Sequence, residues 1–135
     1  MSWTPLRKPL SKSRMALVTS AGFSIAGQAP FNGSVKRKDP SFRDIPSDVD
    51  VRTLVENHRS ELFDHAGIAR DLNLAFPVER VREMAERGRI GSVAPRYLSF
   101  MGSITAPGRL ALESAPRAAQ LLVEDSVDVA LLVPV

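Results

Sequence analysis

At 135 residues the chain is one domain by length, able to bury about two-thirds of the surface its unfolded form exposes. Hydrophobic residues make up 44% and charged residues 24%, which argues against disorder, and the lack of cysteine excludes disulfides, thiolate zinc sites and a thiol nucleophile within these residues. The net charge of +3 is uneven: residues 1–40 carry seven Lys or Arg and one acid, Asp39, whereas residues 41–135 carry eleven bases and fourteen acids. No aromatic residues interleave with Lys36, Arg37 and Lys38, so this basicity reads as solvated flanks rather than a nucleic-acid arm. No run has the length of a signal-peptide core or a membrane span, so the expectation is a cytoplasmic protein with no membrane contact.

Residues 1–13 mix Pro, Ser, Lys and Arg without a period and read as a flexible basic lead-in to a single α/β domain over 14–135. Met15 to Thr19 is a short apolar run, expected as a buried strand, ending in the small residues Ser20, Ala21 and Gly22. Gly22 and Gly27 have the glycine spacing of a phosphate-binding loop, but Gln28 and Ala29 stand where Lys and Ser/Thr are needed, so a plain tight turn is favoured. Ala29 to Ser47 reads as a long excursion, and Ile45, Val49 and Val51 alternate with polar residues as a short strand or extended edge would.

His58 and His65 lie seven residues apart, about 10.5 Å of rise if helical, too far for one metal, and no metal-site spacing is present. Leu72 to Phe76 is a strand candidate running into Pro77, after which Val78, Val81, Met84 and Ala85 share one face of an amphipathic helix closed by Gly88. Tyr97 to Met101 is a further strand candidate. Ser114 as cap, Pro116 in the first turn and Ala115, Ala118, Leu121 and Leu122 on one face predict a second helix. Val127 to Val135, six of its nine residues Val or Leu, reads as a strand buried on both faces. The order predicts a mostly parallel sheet with flanking helices, the three-layer arrangement of Rossmann-like and flavodoxin-like folds; either earlier helices cover its last strand or the fold is incomplete at its C-terminus. An apolar strand left bare there would aggregate or recruit a partner. In such sheets the ligand site lies beyond the carboxyl ends of the strands.

Four blocks carry a family resemblance: Phe42-Arg43-Asp44-Ile45-Pro46-Ser47-Asp48-Val49-Asp50, Asn57-His58-Arg59-Ser60, Asp71 to Arg80, and Ser99-Phe100-Met101-Gly102. Together they resemble the selenoprotein B-type subunit of the glycine, sarcosine, betaine and D-proline reductases, closest in compactness to the D-proline type. The resemblance implies an oxidoreductase subunit that reductively cleaves a carbon–nitrogen bond in a small amino acid, drawing electrons from a dithiol. It implies a selenocysteine or cysteine nucleophile, whose low pKa keeps it ionised, and a pyruvoyl group on a partner subunit in a hetero-oligomer. The nucleophile is expected just after Val135, in line with a selenocysteine codon taken as a stop, so these residues alone are expected to be inactive. A natural short paralogue, or a chain cut at a chosen boundary, is the alternative origin.

Among the residues present, Ser20, Gly22, Arg43, Asp71 and Asn73 are candidates for lining the substrate site and His58 for acid/base work. Arg43 has the fork to pair with a substrate carboxylate, and His58 has a proton for the leaving nitrogen. Structural readings compete: Asp71 and Asn73 can satisfy a turn, and Arg43 can pair with Asp44 or Asp48. The alternative function is a non-catalytic α/β binding module that kept the scaffold and lost the redox residue.

Overall fold

Ala16 and Leu17 are completely buried because strand β1 (Arg14–Thr19) is paired on both sides. The computed structural model describes residues 4–31, 39–58 and 65–135. After β1 follow β2 (Phe23–Ser24), β3 (Phe42–Pro46), β4 (Val55–Glu56), α1 (His65–Arg70), α2 (Val78–Glu86), β5 (Ser92–Val93), β6 (Arg96–Phe100), α3 (Ala115–Glu124) and β7 (Val129–Val133). On one side β1 pairs in parallel with β5 at its start, Arg14 opposite Ser92, and with β6 at its end, Thr19 opposite Ser99. Between those two short strands stand Ala94 and Pro95, and proline cannot donate to a ladder. On the other side β7 runs parallel along β1 from Val129 opposite Met15 to Val133 opposite Thr19. Strand β3 closes the far edge antiparallel to β6. The mostly parallel sheet flanked by helices is a three-layer α/β fold, as the pattern predicts.

The strand period divides the sheet. Leu17, Ile45 and Tyr97 face the side of α2, whose Val78 and Val81 are buried. Phe76 stacks on Phe23 at 5.8 Å and meets Tyr97 edge-on at 5.9 Å, a cluster in which each ring contributes about 2 kcal/mol by burial. Burial also pushes the Tyr97 phenol up to about 12. Val18, Leu98 and Phe100 face the other way, toward α3, where Ala118 is buried. Arg96 forks onto the Asp125 carboxylate at the end of α3 (2.7 and 3.1 Å), and Arg14 reaches the Asp125 carbonyl at 2.8 Å, fixing the turn into β7.

Three expectations are corrected. Leu72–Leu74 is a 3-10 turn rather than a strand, since the Asp71 side chain accepts from the Asn73 N–H and curls the chain before it can pair. Ser114 does not cap α3: it is helical itself, at φ −75° and ψ −41°, because a π-helical turn over Leu110–Ser114 runs straight into α3. The closing strand is not buried on both faces. Among the described residues it pairs with β1 alone, and Leu131 is 41% and Leu132 67% exposed.

The lead-in is anchored where it meets the domain: Leu10–Lys12 forms a 3-10 turn, Ser13 is fully buried, and Lys8 pairs with Asp128 at 2.7 Å. His58 lies outside any helix and His65 opens α1, its ring pairing with Glu56 at 2.8 Å. The basic triplet 36–38 and the block residues 59 and 60 lie outside the described residues. Among the described residues no helix is long and apolar enough to cross a membrane.

Candidate active site at the carboxyl ends of the parallel strands

As β1 ends, its chain is stitched to both neighbours. Ser20 donates its N–H to Val133 O (3.2 Å), Ala21 bridges Met101, and Gly22 donates its N–H to Phe100 O (2.8 Å). Gly22 sits at φ +71°, a backbone conformation that favours glycine, and its bare Cα lies close under the Met101 side chain, whose methyl group would stand 2.9 Å from a Cβ there. Beneath this crossing Thr19 donates its hydroxyl to Ala75 O (2.7 Å) and accepts the Ala21 N–H (3.1 Å).

Asn57 holds the incoming segment. Its backbone N–H and side-chain amide both donate to Gly22 O at 3.0 Å, and the amide also donates to Ser24 Oγ at 2.9 Å. That places the next residue, His58, buried against the ends of the strands. A Cβ on Gly102 would lie 2.8 Å from His58 Nε2, 3.0 Å from Ser20 O and 3.2 Å from Val135 O, so these three groups converge on the bare side of one glycine. Ser20 Oγ accepts the Val135 N–H at 2.9 Å and donates to its carbonyl at 3.2 Å, fastening the chain after β7 across the end of β1.

The structure therefore brings Ser20, Gly22 and His58 together and sends the other candidates elsewhere. Arg43 turns into the excursion before β3. It donates to Ala29 O (2.7 Å), Ser41 Oγ (2.8 Å), Phe42 O (3.0 Å) and Pro30 O (3.2 Å), covers the Phe31 ring at 4.1 Å, and pairs with Asp39 rather than with Asp44 or Asp48. Asp71 caps the 3-10 turn, and the Asn73 amide and N–H hold its carboxyl below the usual carboxylate range. Asn73 also caps α2, accepting the Glu79 N–H at 3.2 Å and donating to the Glu79 carboxylate at 2.8 Å. Both residues line a separate cavity of about 460 Å³, whose walls include Phe23, Leu54 and Ile68 but neither His58 nor Ser20. Among the described residues no group of three or more His, Cys, Asp or Glu is placed to hold a metal ion.

The gamma subunit of D-proline reductase from Acetoanaerobium sticklandii is 35% identical to this chain over 130 residues, which is 96% of the chain. Nearly the whole chain is therefore similar to a subunit of a D-proline reductase. It spans about half the length, 52%, of that relative. No family model matches the chain, and no solved structure matches it.

Sequence reasoning passed over Asn57 and Gly102 as positioning residues. Both stood in the blocks that carry the resemblance, beside His58 and at the end of β6. A glycine directly after a strand is the legible signal for close backbone approach.

Proposed function

We infer that this chain supplies the scaffold of a subunit of an amino-acid reductase, acting on D-proline or a related small amino acid such as glycine, sarcosine or betaine. The observation that carries the reading is the likeness to D-proline reductase subunit gamma along 96% of the chain. The convergence of Ser20, His58, Gly102 and Val135 at the carboxyl ends of β1, β6 and β7 supports it, since ligand sites of parallel sheets lie there.

The family reading assigns the nucleophile to a selenocysteine or cysteine. The 135 residues contain no cysteine, so no residue of this chain takes that role. Breaking a carbon–nitrogen bond leaves the electron pair on nitrogen, which takes up a proton as it departs. Of the side chains in the cluster, His58 is the one whose imidazole suits general acid catalysis, and it is assigned that proton. Ser20 and Gly22 shape the strand ends around it. The overall reduction takes two electrons from a dithiol of the thioredoxin type. The pyruvoyl group is assigned to a partner subunit of a cytoplasmic hetero-oligomer.

The test begins with the genomic DNA after codon 135. An in-frame selenocysteine or cysteine codon within sequence resembling the gamma subunit is expected; an ordinary stop followed by unrelated sequence overturns the reading. With the encoded product and its partner subunits in hand, D-proline-dependent dithiol oxidation is expected, reduced about 100-fold or more by His58→Ala.

A further inference from the structure

The two edges of the sheet are built differently. Strand β3 carries Arg43, Asp44 and Pro46, the charges and proline that keep an edge from pairing. Strand β7 reads Val-Ala-Leu-Leu-Val, with no charge and no proline within it. Ser20 donating to Val133 O turns the polar groups of Val133 toward β1, and the alternation of a parallel ladder then leaves the N–H and C=O of Leu132 facing an edge that no other described strand occupies. Apolar side chains stand bare on both faces, Leu131 on one and Leu132 on the other. On the α3 face Leu132 borders a groove of about 420 Å³ whose walls include Val18, Phe100, Leu110 and Ala115.

We propose that the β7 edge and this groove receive a parallel β-strand, apolar on both faces, from the part of the reductase subunit outside the matched span. A strand accounts for the three observations together: open main-chain groups, apolar exposure on both faces, and a groove along one side. A second copy of this chain accounts for them less well. Around a two-fold axis it would pair β7 with β7 through five residues, short of the roughly 1,000 Å² that a stable interface buries. A source is at hand, because the relative is covered over only 52% of its length. The source rests on the family reading; the open edge does not.

The probe is the polypeptide made of the Acetoanaerobium sticklandii gamma-subunit residues outside the match, added to the isotope-labelled 135-residue chain and, separately, tethered to it by a Gly/Ser linker. Backbone amide exchange at Leu132 is expected to slow about tenfold or more in one or both forms. Leu132→Lys is expected to abolish the slowing, while Val123→Lys, on an exposed part of α3 outside the groove, leaves it intact. Unchanged exchange in both forms, or equal loss in the two variants, overturns the proposal. So does a dimer of the chain alone, seen by sedimentation and removed by Leu132→Lys. The readout involves no catalysis, so failure of the reductase assay and failure of this docking remain separate results.

Discussion

His58 Nε2 lies 2.8 Å from where a Cβ on Gly102 would stand, and the same point is 3.0 Å from Ser20 O. The absence of one methyl group at the end of β6 is what allows an imidazole and two strand ends to share that space.

Gly102→Ala is therefore expected to destabilise the fold by about 1–3 kcal/mol, because the methyl meets two backbone carbonyls that cannot swing away as a flexible side chain would. Gly108 is the control. A Cβ there meets nothing within 4 Å, so Gly108→Ala is expected to be neutral or to stabilise by up to about 1 kcal/mol. Urea midpoints of both variants against the parent chain decide the point.

Asn73→Ala separates a cap from a ligand. The side chain accepts the Glu79 N–H at the start of α2 and donates to Asp71 and Glu79. Its removal is expected to cost about 1 kcal/mol in equilibrium unfolding without any substrate present. An unchanged midpoint would remove the capping role.

The Arg96–Asp125 pair joins β6 to the end of α3 through two hydrogen bonds, with the Asp125 side chain 8% exposed. Asp125→Ala is expected to cost about 1–3 kcal/mol, less than for a fully buried pair because the Arg96 side chain is 34% exposed. Asp44 reaches Arg96 only at 3.8 Å and is itself more than half exposed, so Asp44→Ala is expected to cost under about 0.5 kcal/mol. Denaturant titrations of the two variants measure the contrast.

Acid should loosen the junction between the lead-in and β7. The Asp128 carboxyl is held below its ordinary value of 3.8, chiefly by the Arg14 N–H at 2.7 Å and then by Lys8. A carboxylate with a depressed folded pKa contributes stability above its unfolded pKa, and that contribution is lost as pH falls through the folded value. Thermal midpoints are expected to fall as pH drops below about 4, and Asp128→Asn is expected to lower the neutral-pH midpoint and flatten that fall. The exposed Asp50, lowered to about 2 chiefly by hydrogen bonding to Arg52, continues the decline to lower pH in both proteins. Parallel acid curves for parent and variant would exclude Asp128 as a source.

Much of the architecture was legible because strands and helices impose different periods. Met15 to Thr19, the face Val78, Val81 and Met84, and the run after Asp128 all report their element locally. Of the candidate site residues that the sequence offers, His58, Ser20 and Gly22 are gathered at the strand ends by the fold, whereas the bonds of Arg43, Asp71 and Asn73 run to loop and capping groups 2 to 14 residues away. A charged or amide side chain reads the same in sequence whether it faces a ligand or its own backbone.

The closing strand shows where sequence stops. By itself the sequence determined that the run from Val127 to Val135 holds an apolar strand, since residues of that kind favour the pleat and withdrawal from water. Only the tertiary structure decided that, among the described residues, it lies at an edge, bonded to β1 alone, with Leu131 and Leu132 bare on opposite faces. Burial is a property of what surrounds a strand, and a central strand and an uncovered one are written in the same residues.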